Sequence, residues 1–98
     1  MKIVVTRHPA LLAYLYEIGL INETESVTVM EHVGVEDEPL IRGRDIIGTL
    51  PNHLACQVNS LTEVPLFVPD YLRGKELAVT AIREFAGTPR TYIITKRD

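Results

Sequence analysis

The chain has a single cysteine, Cys56. That excludes an intramolecular disulfide and a multi-cysteine zinc site. Basic charge is not in excess either: ten Lys and Arg stand against thirteen Asp and Glu, a formal charge of −3. Such a chain has no bulk positive field with which to hold a long nucleic acid, so a polyanionic partner has to be met at a local site. No apolar run approaches the ~18 residues that suggest a bilayer-spanning helix. The opening Met1-Lys2-Ile3-Val4-Val5-Thr6 meets a turn too soon for a secretory leader. A membrane partner is therefore not expected, and a cytoplasmic location is. Internal repeats, low-complexity segments and linkers are also missing. What remains is ordinary globular composition, 46% hydrophobic and 23% charged. The length, 98 residues, reads as one domain over 1–98. A chain of this size buries only about 60–65% of its unfolded surface, which leaves a thin core and room for a further interface.

Hydrophobic patterning alternates strands with helices. Lys2 to Thr6 is a short β-branched run that reads as a buried strand. Pro9 suits the first position of a helix, where its missing N–H costs nothing. Leu11, Leu15 and Ile18 form its apolar stripe, and Gly19 its C-terminal cap. Ser26 to Val33 alternates as a half-exposed strand, with Val27, Val29 and Val33 on one side and Thr28, Met30 and His32 on the other. Glu36-Asp37-Glu38-Pro39 reads as an acidic loop and Arg42-Gly43-Arg44 as a basic turn. Asp45 to Gly48 is the third strand, and Pro51 opens a helix with Leu54, Val58 and Leu61 in register. Glu63 to Val68, Glu76 to Phe85 and Thr91 to Thr95 read as strand, helix and strand. Strand–helix–strand alternation predicts an α/β fold, a small Rossmann-like and mostly parallel sheet flanked by helices with right-handed crossovers. The expected strand order is 2-1-3-4, with strand five at an edge. Ligands of such sheets bind beyond the carboxyl ends of the strands, where the order reverses.

That rule points to two turns, Thr6-Arg7-His8-Pro9 and Gly48-Thr49-Leu50-Pro51-Asn52-His53. Two helix N-termini side by side would aim free N–H groups and partial positive charge at an anion. Thr6 and Thr49 add hydroxyl donors. Arg7 can grip a phosphate with two parallel bonds. Imidazole exchanges its proton near neutral pH, which suits His8 to acid–base work. Gly48 lets a ligand approach the backbone. Each residue also has an ordinary role open to it. The prolines can simply start helices, Thr49 can be an N-cap, and Arg7 can pair with a surface carboxylate. His53 and His32 read as structural residues, and Cys56 as helix packing. Arg42, Arg44, Arg73 and Lys75 read as solvated charges, while Tyr14 or Tyr71 could stack on a base. No metal-ligand spacing stands out, and the acidic loop lacks the glycine an EF-hand requires.

Val5-Thr6-Arg7-His8-Pro9 and Ile47-Gly48-Thr49-Leu50-Pro51 together resemble the V-T-R-H-P start and I-G-T-L-P centre of a small CRISPR-associated accessory family of type III systems. Leu72-Arg73-Gly74-Lys75-Glu76-Leu77 is similar to that family's third block, L-R-G-x-E-L. The chain departs from the family at His32-Val33, where members often have His-Leu, and at Phe67-Val68-Pro69-Asp70, where a Ser-Leu-Asp-Leu-like segment is usual. The resemblance implies a fold related to the CARF domains that sense cyclic oligoadenylate. It implies a ring nuclease acting on cyclic tetra-adenylate, with no metal or cofactor. On this reading His8 and Arg7 are catalytic. Thr6, Gly48, Thr49, Leu50, Asn52 and His53 bind the ligand, and Arg73 and Lys75 close over it. A four-nucleotide ring has a two-fold axis, so a homodimer with the ligand across that axis is expected. The competing expectations are a non-catalytic binder that sequesters the cyclic nucleotide and a regulatory partner of an effector. A third is a histidine-phosphatase-like enzyme, since Arg7-His8 echoes an Arg-His-Gly turn with Pro9 in place of the glycine.

Overall fold

The structure, a computed structural model, describes residues 2–97. Its strands are β1 (Lys2–Val5), β2 (Val27–Met30), β3 (Asp45–Gly48), β4 (Ser60–Glu63) and β5 (Arg90–Tyr92). Its helices are α1 (Pro9–Glu17), α2 (Glu38–Ile41), α3 (Asn52–Ala55) and α4 (Val79–Phe85), with 3-10 turns at Val35–Asp37 and Asp70–Leu72. The strands form one sheet in the order β2-β1-β3-β4-β5. The first four are parallel and β5 runs antiparallel to β4. The architecture is thus α/β with a mostly parallel sheet flanked by helices, as in a small Rossmann-like fold, and the expected order holds.

The central strands are continuous apolar runs because helices cover both of their faces. On one face Ile3, Val5, Ile46 and Leu61 pack with Val33, Ile41, Leu54, Ala55 and Val58. On the other, Val4 and Ile47 pack with Leu11, Leu15, Ile21, Leu77 and Ile82. Alternation along each strand makes this division, since successive side chains point to opposite faces. At the end of α1 and in α4, Arg83 Nε donates to Glu17 Oε2 at 2.8 Å, and a second guanidinium nitrogen donates to Oε1. That fork holds the Glu17 carboxyl below its ordinary pKa and raises that of Arg83.

Several boundaries differ from the sequence reading. Ile18 is 39% exposed, and Ile21 takes the buried place instead. The chain folds back there at Gly19, and the N–H groups of Leu20 and Ile21 both donate to the Leu15 carbonyl. The acidic loop is a 3-10 turn running into α2, with Pro39 in its first turn. β2 ends at Met30, so Val33 packs on the face opposite to Val27. α3 is one turn long and Leu61 belongs to β4, which begins three residues before the strand expected from Glu63. A local latch sets that start. Asn59 N–H donates to the Arg44 carbonyl at 2.8 Å, and Asn59 Nδ2 and Ser60 Oγ both donate to Asp45 Oδ1, at 2.6 and 2.8 Å. These two side-chain bonds, Asn59 first, lower the Asp45 pKa. α4 begins at Val79 rather than Glu76, with Leu77 rather than Ala78 buried beside it. β5 begins one residue early and stops at Tyr92, leaving Ile93 81% exposed. Among the described residues no helix is long and apolar enough to cross a membrane.

Candidate functional site

β1 and its neighbours end together. Val5 is in register with Met30 of β2 and with Gly48 of β3. Beyond this row the carboxyl ends of β2, β1, β3 and β4 enclose a cleft of about 500 Å³. Six of the expected residues line it: Thr6, Arg7 and His8 from the first turn, and Gly48, Thr49 and Leu50 from the second.

Local bonding fixes the first turn. The Thr6 N–H donates to the Met30 carbonyl at 2.9 Å, which carries β1 one residue past its strand. The His8 N–H then donates to Thr6 Oγ1 at 3.0 Å. This short side-chain loop bends the chain into α1 and leaves the Thr6 hydroxyl proton free for another acceptor. His8 is the N-cap of α1 in an extended conformation, with Pro9 at the first helical position. Arg7 is exposed and His8 half-buried. Arg7 has no carboxylate partner among the described residues, so the surface ion pair open to it in the sequence is not made.

The second turn depends on Gly48. Its φ is +137°, and a Cβ there would lie 2.2 Å from the Val5 carbonyl oxygen. Only glycine lets β3 end this close to β1, and the floor of the cleft is backbone as a result. The expected pair of helix N-termini reduces to one. α1 has nine residues, but α3 has four, with Pro51 as its N-cap rather than its first residue. One turn aligns too few peptide dipoles to count as a second macrodipole.

The other expected ligand residues lie elsewhere. Asn52 and His53 line a second hollow of about 610 Å³, between α3 and the segment from Ile94 to Lys96. Arg73 is exposed beside Asp70, with Nε 3.4 Å from Oδ1. Lys75 is exposed, and neither of these two cations lines the cleft.

Three polar residues that the sequence reading gave no role in the site do line it: Glu31 and His32 beyond β2, and Glu63 at the end of β4. Each sits just past or at a strand end, and that position is the signal that could have found them. With neutral imidazoles the cleft carries Arg7 against two carboxylates. It is therefore not a broad cationic funnel: a single guanidinium stands among acceptors. Val64 and Leu66 give its far end an apolar wall. Such a cleft can seat one phosphate near Arg7 and the α1 N-terminus, place imidazoles beside it, and receive ligand N–H groups at the carboxylates. Among the described residues no cluster of three or more His, Cys, Asp or Glu has metal-holding geometry.

The model of a family described as "Putative CRISPR-associated protein (Cas_VVA1548)" matches residues 3–95 of the chain. Neither the curated proteins nor the solved structures offer a match to it.

Proposed function

From the premise that this chain belongs to that family of CRISPR-associated proteins, we propose that it is a ring nuclease that opens cyclic oligoadenylate, with cyclic tetra-adenylate as its substrate. The observation that carries the reading is the meeting of Thr6-Arg7-His8 with Gly48-Thr49-Leu50 in one cleft. The two blocks on which the family resemblance rests are 42 residues apart (48 − 6) and have no local reason to converge.

An RNA phosphodiester brings its own nucleophile, the adjacent 2′-hydroxyl. The protein has to hold that oxygen in line with the leaving 5′-oxygen, and such positioning contributes about 7–11 kcal/mol. It also has to meet the charge that grows on the non-bridging oxygens. Arg7, the hydroxyls of Thr6 and Thr49, and the α1 N-terminus are the donors available. His8 moves a proton, a role that typically contributes about 10²–10⁴-fold. The product is a linear adenylate ending in a 2′,3′-cyclic phosphate. Four strand ends at ~4.8 Å spacing span about 14 Å, room for part of a four-nucleotide ring rather than the whole. A homodimer with the ring across its two-fold axis completes the site.

Product analysis after mixing the protein with rings of three, four and six adenylates tests the reading. The expected result is linear product from the four-membered ring. Arg7→Ala weakens binding and cleavage together, whereas His8→Ala slows cleavage far more than binding. A bound ring recovered intact under single-turnover conditions makes the protein a sponge instead. Sedimentation that stays monomeric with ligand present removes the dimer.

A further inference from the structure

The cleft contains a second imidazole that the resemblance does not use. We propose that His32 is the second catalytic proton-transfer group, donating to the leaving 5′-oxygen while His8 takes the proton of the 2′-hydroxyl. The proposal rests on the ring-nuclease reading and adds to it the residue that completes the proton balance.

The placement follows from the sheet. β1 and β2 are parallel, Val5 pairs with Met30, and the Thr6 N–H bonds the Met30 carbonyl. The two chains therefore leave the sheet side by side at the ~4.8 Å strand spacing. Two residues further on, Arg7 and His8 come from one and His32 from the other, and all three line the same cleft. The cleft thus has a guanidinium and two imidazoles on adjacent strand ends. His8 is half-buried at the α1 N-terminus. His32 is exposed, the more solvent-accessible of the two imidazoles. Neither imidazole has a hydrogen-bond partner among the described residues that would hold it to a structural role.

In-line displacement at phosphorus needs two proton transfers on opposite sides of the atom. The 2′-oxygen forms its bond to phosphorus and gives its proton to the His8 imidazole. The bond from phosphorus to the 5′-oxygen breaks, and that oxygen takes a proton from the His32 imidazolium. Both histidines end in the other's starting charge state, and water exchange resets them. A single histidine can do one half of this at a time; the second removes the cost of expelling an alkoxide. The charged groups near His32 are Arg7 and His8 on the β1–α1 turn and Glu31 on its own segment. Glu36 and Asp37 lie in the 3-10 turn that follows, and Glu63 stands across the cleft.

The test is single-turnover cleavage of cyclic tetra-adenylate as a function of pH by the full chain, with His8→Ala, His32→Ala and His32→Gln beside the wild type. The wild type gives a bell, as two imidazoles in opposite protonation states require. His32→Ala is slowed about 10²–10⁴-fold, keeps ring affinity within about threefold, and loses the alkaline limb; His8→Ala loses the acidic limb. A ring in which one 5′-oxygen is replaced by sulfur needs no proton on its leaving group. Both His32 variants cleave it at close to the wild-type rate, and His8→Ala does not. His32→Gln keeps the side-chain bulk should the alanine variant fold poorly. A wild-type rate or an intact alkaline limb in the His32 variants overturns the role of His32 and leaves the nuclease reading standing. A wild type that cleaves no ring overturns both.

Discussion

Replacing Gly48 by alanine puts one methyl group where the sheet has no room for it. Two costs add at this position. A non-glycine residue at φ +137° pays about 1–3 kcal/mol for its backbone conformation. The new Cβ also meets the Val5 carbonyl oxygen at 2.2 Å and its carbon at 3.0 Å. Those are backbone atoms of the central strand, so relief requires β1 and β3 to separate, a further ~1–3 kcal/mol. The total, about 2–6 kcal/mol, is a large share of the ~5–15 kcal/mol expected for a whole domain. With a urea slope of about 2 kcal/mol per molar, the middle of the range for small proteins, the unfolding midpoint falls by about 1–3 M at unchanged slope. Gly19→Ala is the control. Gly19 has φ +78° with nothing within 4 Å of its Cβ position, so it carries only the conformational cost, about 1–2 kcal/mol. The assay is a pair of equilibrium urea titrations. A Gly48→Ala midpoint no lower than that of Gly19→Ala refutes the close approach of β3 to β1 and the backbone floor of the cleft with it.

Two further outcomes follow from the packing and the charges. Ile82 of α4 is wholly buried against Val4 and Ile47, so Ile82→Ala lowers stability by about 2–5 kcal/mol, read as a drop in the urea midpoint. Asp45 has its pKa lowered in the folded protein by Asn59 and then Ser60. The stability it contributes is therefore complete above the unfolded value of about 3.9 and is lost as pH falls through the lower folded value. Because the carboxylate is exposed, that contribution is about 1 kcal/mol or less. Asp45→Asn flattens the part of the acid limb below about pH 4 in urea midpoints taken from pH 7 to pH 2; an unchanged limb refutes the latch.

The order of the sheet was legible because few arrangements obey right-handed crossovers once the strands are named. The runs Ile3-Val4-Val5 and Ile46-Ile47 named two of them without ambiguity. The region after Pro51 was not legible for a definite reason. Leu54, Val58 and Leu61 are spaced as on a helix, and their spacing alone continues α3 to the start of the next strand. What ends the helix is the bonding of Asn59 and Ser60 to Asp45, a partner outside any local window. The site divides the same way. Thr6 to His8 is a contiguous turn, readable as a unit. His32 and Glu63 become visible only when the strand ends are fixed, and β4 ends at the residue where the sequence pattern begins it. Asn52 and His53 follow the second turn in sequence but face the hollow beside the 94–96 segment, because α3 rotates them away from the cleft.

β1 lies inside the sheet between β2 and β3 and precedes both of these neighbours in the chain. During translation it emerges with nothing to pair with until Val27 and then Asp45 follow Lys2 out of the ribosome. On the apolar face carrying Val4 and Ile47, Leu11, Leu15 and Ile21 arrive early, but Leu77 and Ile82 complete the cover only near the other end. A chain stalled anywhere short of α4 therefore exposes apolar surface that Leu77 and Ile82 would otherwise cover. Burial of the core is therefore completed only by the whole chain, and abortive chains are marked for proteolysis by the surface they leave open.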